Sequence, residues 1–257
     1  MIRIDRSTTV APQKLLADAP AAKAAIAAIV AQPNGELKSG DFDGGVYASE
    51  PVKEALWRMQ HAKCCFCEHE YERKWSTVEH FRPKTSVQRA RPGPRALGYW
   101  WLAYEFENLY FCCNNCNSPK NDYFPLAAGA VPLSEPDLPS AVAEQALILD
   151  PGVAPGADEP EQHLTFAQLP NGAYRIAPRN GSARGRETIT AARLDRDDLN
   201  ELRDKHHATL AAVANLVGAA KGTALEAQVT AMAQALCQAA SPFALLARVF
   251  FRDAGVL

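Results

Sequence analysis

Apolar residues recur at helical spacing near both ends of the chain and at strand spacing in between. The first helical pattern covers Asp18–Gln32, with an alanine-rich run, Ala21–Val30, interrupted by Lys23. Asp18 is placed to cap that helix and Pro20 to sit in its first turn. A polar, glycine-bearing stretch follows (PNGELKSGDFDGG), then Pro51 opens a short amphipathic pattern over Val52–Gln60. Alternation over Ser76–Phe81 predicts a short strand, whereas Arg82–Gly98, with three prolines and two glycines, predicts a loop. Tyr99–Glu105 (YWWLAYE) reads as a buried helical turn whose aromatic rings belong to the core, and Phe124–Pro139 reads as a connection. Gln145–Asp150 and Gln162–Ala177 have strand character, the second interrupted by an Asn171-Gly172 turn. Asp197–Val217, Thr223–Ala239 and Pro242–Asp253 return to helical spacing.

These elements predict an α+β chain in four regions: a helical lead-in over 1–60, a cysteine-bearing module over 61–126, a connecting region with short strands over 127–194, and a helical region over 195–257. A hydrophobic share of 47% with 22% charge is that of a globular protein with a full core, which excludes disorder of the whole chain. No apolar run reaches the roughly 20 residues needed to cross a bilayer, so no membrane partner is expected. The start, MIRIDRSTT, has no apolar signal core, and the expected compartment is the cytoplasm. The net charge of −2 gives no overall sign of a nucleic-acid partner. Locally, nine Lys/Arg against four acids between Arg58 and Arg95 leave an excess of five positive charges, which makes polyanion binding there an expectation.

Six of the seven cysteines fall within Cys64–Cys116, and the seventh, Cys237, lies in an apolar helical pattern where it acts as a small buried hydrophobe. Cys64/Cys67 and Cys113/Cys116 are CxxC pairs, each able to turn two thiolates to one side of a tight knuckle. Two knuckles complete an all-sulfur tetrahedron suited to zinc, and four thiolates leave no position for water, so the ion would be structural. The adjacent Cys65 and Cys112 leave the register open. A redox CxxC is the other reading, but zinc would quench such thiolates and no βαβ context surrounds them. Between the knuckles lies Glu79-His80-Phe81-Arg82-Pro83-Lys84. Neighbouring residues on a regular strand point to opposite faces, so joint action of Glu79 and His80 requires an irregular strand or loop. Further on, Glu107-Asn108-Leu109-Tyr110 runs into the second knuckle, with Asn117 directly after its last cysteine and an amide oxygen suited to a hard cation.

The order CxxC, EHFRPK, ENLYFCCNNCN and a following lysine resembles the HNH endonuclease superfamily, which carries a ββα-metal finger. A closer likeness is to the HNH nucleases of retron- and Septu-type anti-phage defence. It runs through VKEALWRMQHAKCCFCE, EHFRPK, YWWLAYEFENLYF and CNSPKNDYFPL, and less specifically through LILDPG, EPEQHLTF and ETITAARLDRDDL. The resemblance implies an HNH finger with structural zinc inside a largely helical protein. It also implies metal-dependent hydrolysis of phosphodiester bonds, DNA before RNA. His80 would take a proton from water, Glu79 and Asn117 would hold a catalytic Mg2+ or Mn2+, and Asn108 would orient the histidine-bearing loop. Arg82, Lys84 and Lys120 would hold phosphates, and an ATPase subunit is the implied partner. Many members have Asp where this chain has Glu79, and His where it has Asn117. The competing expectation is a zinc-ribbon module that binds nucleic acid or protein without cutting. His163 is expected to be structural and His206-His207 to sit on an exposed helix face.

Overall fold

The first apolar pattern folds as α1, Gln13–Val30, in the computed structural model of the chain, which describes residues 1–139, 144–156 and 158–257. The helix starts five residues earlier than the pattern suggested. Pro12 occupies the N-cap position, Pro20 lies inside the helix, and Asp18 pairs with Lys14 at 2.6 Å instead of capping. Proline at 20 removes the donor to the Leu16 carbonyl, but both residues face solvent, where water can take that bond. A short α2, Gly44–Tyr47, leads to α3, Glu50–Met59, which has Pro51 in its first turn and buries Val52, Leu56 and Met59.

The middle of the chain centres on an antiparallel ribbon of β1 (Ser76–His80) and β4 (Leu109–Cys113), registered from Ser76↔Cys113 to His80↔Leu109. Helix α4, Asn114–Lys120, follows without a break, giving a strand–strand–helix unit. Between the two strands, Arg82–Gly98 is not purely loop: β2 (Ser86–Gln88) and β3 (Arg95–Leu97) pair as a hairpin. Three residues per strand are too few for alternation to reveal. The hairpin is propped from outside, by Gln88 N–H donating to the Asp122 carbonyl at 2.8 Å and Phe124 N–H donating to the Gln88 carbonyl at 3.0 Å. Trp100–Leu102 forms a single 3-10 turn, and Tyr99, Trp100 and Tyr104 are buried as expected.

Gln145–Asp150, expected as a strand, makes only the isolated bridge Leu126↔Ala146. Ala146, Ile148 and Leu149 are all buried, so this apolar run packs on both sides without a partner strand. After α5 (Pro160–His163), β5 (Leu164–Gln168) and β6 (Tyr174–Pro178) form the expected hairpin, whose turn places Gly172 at φ +86°. Helix α6, Ala183–Ala191, was not foreseen; Ser182 caps it by accepting from Gly185 N–H at 3.1 Å. The C-terminal region is α7 (Asp197–Ala220), α8 (Glu226–Leu236) and α9 (Ala244–Asp253).

Two apolar clusters clamp the β1–β4 ribbon. One joins Val78 and Phe111 to Leu15, Val52 and Leu56, and the other joins Tyr110 and the cysteines to Leu199, Leu210 and Phe251. The C-terminal region therefore packs directly on the cysteine module: Phe243 stacks on His69 at 5.6 Å and its N–H donates to the Glu68 carbonyl. His206 and His207 are half-buried rather than exposed, against Phe243 and against Tyr174 and Phe250. Cys237 is likewise only half-buried. His163 is a structural residue, joining Ser182 Oγ at 2.7 Å to Asp158. Among the described residues no helix is long and apolar enough to cross a membrane.

Candidate functional site

The first knuckle is a backbone turn before it is a metal site. Cys64 N–H donates to the His69 carbonyl, Glu68 N–H returns to the Cys64 carbonyl, and Glu68 adopts φ +63° to close the loop. Cys65 N–H donates to the Phe111 carbonyl and ties the knuckle to β4. The second knuckle is the junction of β4 and α4, with Cys113 at the N-cap position and Cys116 within the helix. Together they bring the sulfurs of Cys64, Cys67, Cys113 and Cys116 within 4.8 Å of one another, all buried. Cys67 and Cys113 Sγ are 3.9 Å apart; a tetrahedron with metal–sulfur bonds of ~2.3 Å needs roughly 3.8 Å. The four residues fit a structural zinc, in the register that the two-residue spacing favours.

Burial pushes the Cys64 and Cys116 thiols up, while hydrogen bonds from Cys116, Cys64 and Cys67 pull Cys113 far down. Arg196, just ahead of α7, points Nη1 at Cys116 Sγ from 3.3 Å. Burial works against its charge, but Cys116 and Cys67 outweigh that and raise its pKa. A closed four-thiolate site carries excess negative charge, and this guanidinium offsets part of it.

At the other end of the ribbon, β1 is regular through His80, so Glu79 and His80 leave it on opposite faces, without the irregular strand or loop that their joint action requires. Helix α4 crosses the Glu79 face. Asn117 Nδ2 donates to Thr77 Oγ1 at 2.6 Å, and one turn later the Lys120 ammonium lies 2.5 Å from Glu79 Oε1. That charge contact is not aligned as a hydrogen bond, leaving Oε1 without a directed partner. Burial raises the Glu79 carboxyl to about 7 in spite of Lys120. The Glu79 carboxylate thus faces the Lys120 ammonium, while the Asn117 amide is engaged by Thr77.

On the opposite face, His80 Nε2 lies 2.9 Å from the Ala103 carbonyl, and the ring meets Tyr47 edge-on at 4.6 Å. Burial, with Lys84 and Lys120 nearby, holds its pKa well below the ordinary value, so the ring is neutral. A neutral ring that donates from Nε2 to a carbonyl keeps its lone pair on Nδ1. The Lys84 ammonium lies over the Phe42 and Tyr47 rings at 5.2 Å; burial lowers its pKa and the charge of Glu79 raises it. Asn108, fully buried, clamps the chain just past the histidine. Its Oδ1 accepts from Arg82 N–H at 2.8 Å, and its Nδ2 donates to the Arg82 and Leu102 carbonyls.

The basic residues expected on phosphates are occupied internally. Arg82 is buried with Nε 2.7 Å from Glu144, and Lys120 is fully buried on Glu79. Lys63 donates to carbonyls at 239 and 241, Arg89 and Arg91 to carbonyls around 119–124, and Arg95 pairs with Asp122. Arg58 pairs with Glu54, and Lys74 with Glu72 and the Trp75 ring, contacts exposed enough to exchange for phosphate. The local charge excess is thus largely spent on the fold. Tyr47, Arg196 and the Ala103 carbonyl join the site with no signal in the sequence, because a tyrosine 33 residues before His80 belongs to no spacing motif.

The chain is similar to the Septu protein PtuB of Bacillus mycoides (strain KBAB4), with 33% identity over 171 residues, 65% of this chain and 55% of that protein. It therefore spans about half the length of this curated relative. No protein-family model matches the chain, and no solved structure matches it.

Proposed function

We propose that this chain is a metal-dependent HNH endonuclease of anti-phage defence that hydrolyses phosphodiester bonds in nucleic acid, DNA before RNA. The observation that carries the reading is the 2.9 Å contact of His80 Nε2 with the Ala103 carbonyl, which leaves Nδ1 as the ring nitrogen to take a proton from water. The attacking oxygen would then reach the scissile phosphorus. Asn108, clamping Arg82, keeps the histidine-bearing segment in position. Glu79 and Asn117 would hold the divalent cation, which when bound supplies Lewis acidity at the phosphate and leaving oxygen. Lys84, over the same Tyr47 ring that meets His80, would be the cation nearest a phosphate on the histidine side. The defence setting rests on the likeness to a Septu protein; the ATPase partner and the cytoplasmic setting rest on the sequence alone.

A second reading, a zinc-ribbon binding module without catalysis, is favoured by one observation: His80 is only 7% exposed and capped by Tyr47. One experiment separates the two. Plasmid DNA, single-stranded DNA and RNA are incubated with wild type and His80→Ala, with Mg2+ or Mn2+, with and without an ATPase subunit of the kind the resemblance implies. The nuclease reading expects divalent-dependent cleavage that His80→Ala abolishes while zinc content and folding persist. Binding without cleavage under every condition assigns the chain to the module.

A further inference from the structure

The four-cysteine quartet leaves Cys65 and Cys112 over, and both are buried against it. Their sulfurs and that of Cys64 form a second set, all within 4.8 Å of one another, with Cys64 and Cys112 3.8 Å apart. Three thiolates around one ion at ~2.3 Å stand roughly 4.0 Å apart, close to the Cys64–Cys112 separation. Trigonal, all-sulfur shells select soft cations such as Cu(I), Cd2+ or Zn2+ over Mg2+. The backbone holds all three in place: Cys65 is tied to β4 through the Phe111 carbonyl, Cys112 lies within β4, and Cys64 anchors the knuckle turn. A cavity of about 290 Å3, lined by Met59, Gln60 and Glu68 among others, reaches Cys64 and Cys65. A metal site needs such an entry path as well as ligands.

The geometry points to a second metal site at Cys64, Cys65 and Cys112, in which Cys64 is a thiolate shared with the structural quartet, so that the six cysteines hold two thiophilic ions. Binding the second ion releases the Cys65 and Cys112 thiol protons to water and changes no oxidation state. The inference rests on the quartet reading and is independent of nuclease activity.

The test is titration of the full-length, reduced protein with 113Cd2+, read by native mass spectrometry and 113Cd NMR. Wild type should take up two ions per chain, in distinct resonances coupled through the shared sulfur. Cys65→Ser and Cys112→Ser should each take up one, with the remaining resonance in the four-sulfur range. A wild-type chain that stops at one ion unaffected by Cys65→Ser overturns the second site and leaves the quartet standing. One ion that is lost on Cys65→Ser overturns both. Should a serine variant fail to fold, the wild-type stoichiometry and resonance count decide alone.

Discussion

Lys120 and Glu79 meet as a buried ion pair, Nζ 2.5 Å from Oε1, with the ammonium standing beside the carboxylate proposed to bind a divalent cation. Removing one partner of such a pair costs about 3–5 kcal/mol, because the other charge stays buried alone. Lys120→Met should therefore lower stability towards urea by about that amount in magnesium-free buffer above pH 7. Combining it with Glu79→Gln should recover most of the loss. Millimolar Mg2+ should also rescue Lys120→Met, but not the double variant, if Glu79 is a metal ligand. An equal response of both variants to Mg2+ would remove Glu79 from the metal site.

Asn108 satisfies three backbone groups, the Arg82 N–H and the Arg82 and Leu102 carbonyls, and no solvent reaches them. Each buried group left unpaired costs about 1–3 kcal/mol. Asn108→Ala should lower the unfolding free energy by about 3–5 kcal/mol. Cleavage, measured well below the unfolding midpoint, should fall by about 10²-fold as the His80 segment loosens. Wild-type cleavage in a destabilised but folded Asn108→Ala protein would show that the clamp serves stability alone.

How much of this was legible in the sequence follows from which interactions are local. The two CxxC pairs announce themselves, because a thiolate knuckle is a four-residue object and its spacing survives in any fold. β1, the β5–β6 hairpin and the C-terminal helices were legible for the same reason: their periodicity is carried within a few residues. The β2–β3 hairpin was not, since its stability comes from Asp122 and Phe124 more than 30 residues away. Charge misled most. Arg82 and Lys120 look like phosphate ligands in sequence, and only the fold shows Glu144 and Glu79 waiting for them. The alternation rule puts Glu79 and His80 on opposite faces of a regular strand, and the fold keeps β1 regular there, without the irregularity that their joint action requires.

The Glu79 carboxyl titrates at about 7 in the folded chain against an ordinary value of 4.5, with burial as the main cause. Folding therefore tightens its proton, so its contribution to stability is full below pH 4.5 and is lost as pH rises through about 7. The lost portion is about 3 kcal/mol. Urea unfolding in magnesium-free buffer should show this decline between pH 4.5 and 7.5, and Glu79→Gln should flatten it. Bound Mg2+ should flatten it as well by keeping the carboxylate charged in the folded state. A wild-type and Glu79→Gln pair with parallel pH profiles would contradict the assignment.

Arg196 reaches from the start of α7 to Cys116 Sγ at 3.3 Å, so the cysteine cluster and the C-terminal helices share a charge contact as well as an apolar core. Partners that hydrogen-bond metal ligands typically contribute 10- to 100-fold in metal affinity. Arg196→Ala should weaken zinc retention by that factor in competition with a chromophoric chelator. Arg196→Lys should fall between, keeping the charge but not the planar reach of the guanidinium. Because α7 packs on the same cluster, stripping the zinc should expose amides in α7 to hydrogen exchange earlier than those in α1, whose contacts lie in the other core. Arg196→Ala should show the same order at lower chelator concentration. Exchange in α1 ahead of α7 would mean that the metal supports the ribbon as a whole and that Arg196 transmits nothing to the helices.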